Sequence, residues 1–93
     1  IKIFVSNNNA YGTIRMHQET HYPGRPHATD LVNPDFTILA QAFGAKGLAI
    51  ETAEEADAVM REALSADVPV IVEARTSLEN VDAKNSITEL RAR

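Results

Sequence analysis

The chain has 93 residues, 44% hydrophobic and 24% charged, with a net charge of −4 and no cysteine. That length holds at most one small domain with little stability to spare, and the missing cysteine excludes a disulfide framework, a thiolate zinc site and a cysteine nucleophile. The nine Lys and Arg residues form no cluster, so nucleic acid is not an expected partner; no apolar run is long enough for a membrane span, and a cytoplasmic protein is expected.

Ile1–Val5 is β-branched and aromatic and predicts a buried strand. It is too short for the apolar core of a signal peptide and turns polar at once. The chain opens without methionine, directly in this strand, and reads as a piece cut from something longer. Tyr11 to about His21 predicts a helix with Ile14 and Met16 facing inward. Tyr22-Pro23-Gly24-Arg25-Pro26 predicts a loop that continues through His27–Val32. Asn33-Pro34 reads as the N-cap and first residue of a helix whose inner face carries Phe36, Leu39, Ala40 and Phe43, with Gly44 as its left-handed terminator. Gly47–Glu51 is a short strand. Thr52-Ala53-Glu54-Glu55 has the capping-box pattern ahead of a helix with an apolar stripe of Ala56, Val59, Met60, Ala63 and Leu64. Val70–Ala74 is a further strand after the Asp67-Val68-Pro69 turn, and the tail is polar, with one cappable turn at Ser86–Glu89 too short to be stable alone.

The order β-α-α-β-α-β implies an α/β fold with a parallel open sheet. Three strands make a poor independent sheet. The second and third helices are expected on one face, with the other face left for further sheet or a second subunit.

The chemistry concentrates where the first strand stops at Asn7-Asn8-Asn9 and a helix begins. The carboxyl end of a parallel strand is where ligands sit in such sheets. Asparagine offers neutral oxygens suited to Mg²⁺, and a helix start offers free N–H groups suited to phosphate. The plain alternative is a polar turn closing a strand.

Asn7 to Glu19 resembles the second half of the thiamine diphosphate motif, Gly-Asp-Gly followed after a spacer by Asn-Asn, found in acetolactate synthases, benzoylformate decarboxylases and pyruvate decarboxylases. The segments Tyr22–Arg25, Asp30–Phe36 and Ala42–Ala45 are similar to the acetolactate-synthase-like branch and come in the same order, so the resemblance covers roughly Ile1–Thr76. It implies that residues 1–78 are the C-terminal portion of a thiamine diphosphate-binding domain, with 79–93 a polar tail. It further implies that the Asn8 side chain and the Ala10 carbonyl bind Mg²⁺, which bridges the cofactor's two phosphates. Asn7 then holds the turn, and Tyr11, Gly12 and Thr13 lie beside the diphosphate. Asn9 stands where glycine is frequent in the family, a position asparagine tolerates at left-handed φ. The Gly-Asp-Gly half lies outside this sequence, and the glutamate that activates the cofactor comes in the family from another domain, usually of another subunit. The implied function is a fragment, inactive alone, of a thiamine diphosphate- and Mg²⁺-dependent enzyme acting on small 2-oxo acids. Its implied partners are the rest of that enzyme and a second subunit in a homodimer or homotetramer.

Two other readings stand beside it: a non-catalytic α/β binding or assembly module, and a flavodoxin-like domain for another phosphate ligand. A Gly-Asp-Gly upstream of Asn7 in the full-length protein favours the enzyme. His17 and His21 stand four residues apart with His27 nearby, but the order His-Gln-Glu-Thr-His is not that of a metalloprotease. A solvated helix end is the reading taken. Arg15 and Arg25 are read as surface charge or ion pairs rather than substrate ligands, and Glu54, Glu55 and Asp57 as a first helical turn suited to the dipole.

Overall fold

A computed structural model describes all residues, Ile1–Arg93. The chain divides into two compact units, one of Ile1–Asn7 with Asn33–Thr76 and the other of Asn8–Val32 with Ser77–Arg93.

The first unit holds a three-stranded sheet. Its elements are β1 (Lys2–Asn7), α2 (Phe36–Ala42), β2 (Lys46–Ile50), α3 (Ala53–Ser65) and β3 (Val70–Arg75), with α1 (Gly12–His21) and α4 (Ile87–Arg91) in the other unit. Both β1 and β2 run parallel to β3, in the order β1-β3-β2. The expected α/β parallel open sheet is what forms. The last strand takes the central place and is the most buried of the three, with Val70 and Val72 at 0% exposure. These pack with Ala63 of α3, and Leu48, Ile50, Val59 and Ala66 close the cluster.

The helices of this unit do not share a face, as the sequence led us to expect. Successive strand residues point to opposite sides. Leu48 packs toward the α3 cluster, whereas a Cβ on the adjacent Gly47 would lie 2.5 Å from the Thr37 carbonyl oxygen of α2. The strand order explains this. The path from β1 to β2 passes beyond β3 and the path from β2 to β3 returns, so two right-handed crossovers must lie on opposite faces. Gly47 is the residue that lets α2 approach the sheet so closely.

β1 is an edge strand rather than a buried one. Ile3 and Phe4, on opposite faces, are 47% and 46% exposed, because α2 and α3 pack chiefly on β2 and β3. The second helix begins later than Asn33-Pro34 suggests. Asp35 is its N-cap, its Oδ1 accepting from the Thr37 and Ile38 amides at 2.9 and 3.3 Å, which leaves Pro34 outside. These bonds, the Thr37 hydroxyl's above all, hold the Asp35 carboxyl below its usual range. Gly44 takes the left-handed conformation expected of it, with φ of 73°. Of the predicted inner face, Ala40 is buried but Phe43 is 80% exposed, since it lies at the C-cap where the helix stops facing the sheet. Leu64 of the α3 stripe is likewise exposed. Thr52 makes no side-chain cap; the Glu55 carboxylate accepts instead from the Glu51 amide at 3.1 Å.

The second unit packs α1 and α4 and the loop between α1 and Val32. Ile14 is exposed rather than inward, and the buried residue of α1 is Glu19. Gln18 fastens the loop: its Nε2 donates to the His27 carbonyl at 2.8 Å and its Oε1 accepts from the Thr29 hydroxyl at 3.1 Å. The Ser86 turn is a full capping box with Glu89. Ile87 and Leu90 of α4 are buried, so the short helix rests on packing that it lacks in isolation.

Candidate functional site

Asn7, the last residue of β1, is 8% exposed and carries a defined amide. Its Nδ2 donates to Glu73 Oε1 at 3.2 Å, and its Oδ1 accepts from Asn33 Nδ2 at 2.8 Å. Its backbone carbonyl accepts from the Thr76 amide at 2.9 Å, which carries the strand pairing one step past its end.

The next five residues form the turn into α1. Asn8 Oδ1 accepts from the Ala10 amide at 3.1 Å, closing an Asx turn. Asn9 sits at φ of 58°, the left-handed region that asparagine tolerates. Ala10 forms an isolated antiparallel bridge with Asp30. The two ladder bonds run from the Tyr11 amide to the Thr29 carbonyl and from the Leu31 amide to the Asn9 carbonyl, at 2.9 and 2.8 Å. The Ala10 carbonyl lies outside both bonds. An amide oxygen has two acceptor sites, so Asn8 Oδ1 keeps one after serving Ala10. The turn thus presents one side-chain oxygen and one backbone oxygen two residues apart, both neutral and hard.

Tyr11 is the N-cap of α1 and makes no side-chain cap bond. The first backbone bond into the helix is from the Arg15 amide to the Tyr11 carbonyl at 2.8 Å, so the N–H groups of the first turn are free of intrahelical partners. Ala10, Tyr11, Gly12, Thr13 and Ile14 line a shallow pocket of about 320 Å³. A Cβ on Gly12 would come 2.8 Å from Asn8 Nδ2, so the glycine is what allows the asparagine side chain to lie over the helix start. Open amides, the positive end of a dipole and hard oxygens suit an anion with its counter-cation. In donor chemistry the residues present therefore fit a Mg²⁺-diphosphate group.

The remaining candidates separate. The His17 and His21 rings stack with centroids 6.5 Å apart, both exposed, and no group of three or more His, Cys, Asp or Glu side chains is placed to hold a metal. Arg15 is an ion-pair residue, bonded to Glu19 and Asp30 at 3.3 Å each. Arg25 lies exposed in the loop. Asp57 pairs with Arg61 within α3.

Two carboxylates escaped the sequence reading. Glu19 is wholly buried; it accepts from Nε and Nη2, one edge of the Arg91 guanidinium, at 2.9 and 2.8 Å and from the Gly24 amide at 2.9 Å. The Arg91 hydrogen bonds above all hold its pKa down at about 2, against burial, with Gly24 and Arg15 adding to them. Glu73 is 3% exposed on β3 and accepts from Asn7 and, at 2.6 Å, from Arg75 Nε. Arg75 also pairs with Glu51, and these carboxylates raise its pKa, Glu73 foremost. A Glu in an apolar strand signals burial only if its partners are known, and both Asn7 and Arg91 are remote in sequence from the Glu they serve.

Residues 1–74 match the family described as thiamine pyrophosphate enzyme, C-terminal TPP binding domain. The chain is 40% identical over 73 residues to the mitochondrial acetolactate synthase catalytic subunit of Saccharomyces cerevisiae, covering 78% of this chain and 11% of that protein. It is 34% identical over 83 residues to the acetolactate synthase isozyme 2 large subunit of Escherichia coli, covering 87% of this chain and 15% of that protein. A putative thiamine pyrophosphate-containing protein of Bacillus subtilis is 34% identical over 73 residues, covering 78% and 12%. The chain thus spans a small part of the length of the relatives it matches.

Proposed function

Because the chain belongs to the C-terminal TPP-binding domain family of thiamine pyrophosphate enzymes, we propose that it supplies half of a Mg²⁺-diphosphate site in a larger acetolactate synthase-like enzyme acting on small 2-oxo acids. The observation that carries this reading is the turn at the head of α1. Asn8 Oδ1 is oriented by the Ala10 amide, the Ala10 carbonyl lies outside the bridge, and Gly12 keeps the way clear.

In this reading Asn8 and Ala10 hold the metal. The amides of Gly12 and Thr13, with Tyr11 beside them, receive the diphosphate, and Asn7 fixes the start of the turn. The bound cofactor supplies carbanion stabilisation next to the carbonyl of a 2-oxo acid. This chain's contribution is to bind and orient. Two neutral oxygens do not complete a Mg²⁺ sphere, which takes six ligands in octahedral arrangement and includes carboxylate or phosphate. The remaining ligands come from the rest of the parent enzyme, and a homodimer or homotetramer brings in the second subunit. The two exposed faces of β1 support that larger setting, since Ile3 and Phe4 lack cover. Residues 1–78 are then the C-terminal portion of the cofactor domain and 79–93 its tail, in a cytoplasmic enzyme.

Calorimetric titration of the full-length protein with thiamine diphosphate and Mg²⁺ tests this. Asn8→Ala is expected to weaken Mg²⁺-dependent cofactor binding by at least about tenfold. The isolated 93-residue chain is expected to show neither turnover nor micromolar binding. Unchanged Mg²⁺ dependence in Asn8→Ala, or turnover by the isolated chain, contradicts the reading.

A further inference from the structure

Glu73 is buried at the carboxyl end of the sheet, and no step of the proposed binding mode uses it. Burying a carboxylate is costly unless its lone pairs are met by donors. Here one oxygen is met by Arg75, the other by the side-chain amide of Asn7. Asn7 in turn accepts from Asn33, which lies just ahead of α2. The row Arg75, Glu73, Asn7, Asn33 therefore fixes which way the Asn7 amide faces, because a carboxylate accepts only and the Asn33 amide nitrogen donates only. Asn7 is one peptide bond from Asn8.

We propose that Glu73 is a positioning residue for the cation-binding turn, holding Asn7 so that Asn8 leaves the strand in the orientation that the metal needs. The proposal rests on the reading of Asn8 and Ala10 as the metal-binding pair. Groups that orient a metal ligand from behind commonly change metal affinity 10- to 100-fold when altered.

Glu73→Gln replaces an all-acceptor group by one with a single oxygen and a donating NH2. It keeps the size of the side chain but can serve only one of Asn7 and Arg75 properly. Mg²⁺ is titrated calorimetrically into the full-length protein at saturating thiamine diphosphate, for wild type and variant, with thermal unfolding of each apoprotein alongside. The expected result is a rise of about tenfold in the half-saturating Mg²⁺ concentration, with cofactor binding at high Mg²⁺ retained. Asn7→Asp combined with Glu73→Gln exchanges the carboxylate and the amide across the same hydrogen bond, and is expected to bring the Mg²⁺ requirement back toward wild type.

A lowered unfolding temperature with an unchanged Mg²⁺ requirement overturns the proposal, since a structural role alone gives that result. Should Glu73→Gln not fold, Asn33→Ala disturbs the same amide from the other side and is expected to raise the Mg²⁺ requirement about threefold; no rise there overturns the proposal equally. A wild-type protein that binds thiamine diphosphate without regard to Mg²⁺ overturns the reading of the site and this role with it. A shift in Glu73→Gln that is absent in Asn8→Ala places the metal elsewhere and refutes the link through Asn8.

Discussion

Glu19 and Glu73 are the two buried carboxylates of this chain, one in each unit, and they are held in different ways. Glu19 takes a two-pronged guanidinium from Arg91, a second arginine and a backbone amide. Glu73 takes one nitrogen of an arginine that it shares with Glu51, and one side-chain amide. A buried charge met by two cations and a backbone N–H is compensated locally and holds its own surroundings together. One met by a shared cation and a neutral amide depends on that amide, and so constrains it. The first arrangement is a clasp between α1 and α4; the second reaches a residue of the candidate site.

The largest expected effect breaks the clasp. Glu19→Gln takes the counter-charge from Arg15, whose side chain is 11% exposed, and from Arg91, which is 45% exposed and keeps part of its hydration, so the cost is on the order of 2 kcal/mol. Hydrogen exchange of the α1 and α4 amides is the measurement, because local opening reports the unit that carries the change. Protection should fall in both helices and stay unchanged in β3. Equal loss in β3 refutes the local character of the clasp.

Acid acts on the same bond. The Glu19 pKa is about 2 when folded against a usual value of 4.5, so the unfolded state takes up the proton first. The stability from Glu19 is therefore fully present above about pH 4.5 and is lost as pH falls toward 2. Exchange of the α1 and α4 amides, corrected for its intrinsic pH dependence, should accelerate through that window in the wild type. In Glu19→Gln the Glu19-dependent part of that acceleration should be missing. An acid response of the same size in the variant assigns it to other carboxylates.

The two glutamates also mark where the sequence was legible. Every predicted strand and helix exists, because apolar spacing, Gly44 and the turn prolines are local signals. The turn from Asn8 to Thr13 was legible in part: a polar turn running into a helix start is a local signal, and the family resemblance adds that Asn9 tolerates left-handed φ, whereas the Asx turn of Asn8 appears only in the structure. What failed depends on strand order. Helices on opposite faces and an uncovered β1 follow from β3 entering between β1 and β2, which no window of the sequence displays. The glutamates belong with these, their partners being 72 residues away for Glu19 and Arg91 and 66 for Asn7 and Glu73.

The smallest effect sharpens the comparison most. Glu73→Gln should cost only about 1 kcal/mol of stability, less than the same exchange at Glu19. Arg75 keeps Glu51 as a partner, so its charge is not left unpaired, and no second arginine depends on Glu73 as the more buried Arg15 depends on Glu19. The glutamine oxygen can still accept from one of the two donors. Chemical denaturation of the full-length protein followed at the sheet, paired with the Glu19→Gln variant under the same conditions, reads the difference. If the two exchanges cost the same, both carboxylates are structural clasps, and the contrast in how they are held has no consequence. If Glu73→Gln is the milder and yet shifts the Mg²⁺ requirement, burial of that carboxylate serves the orientation of Asn7 more than the stability of the sheet.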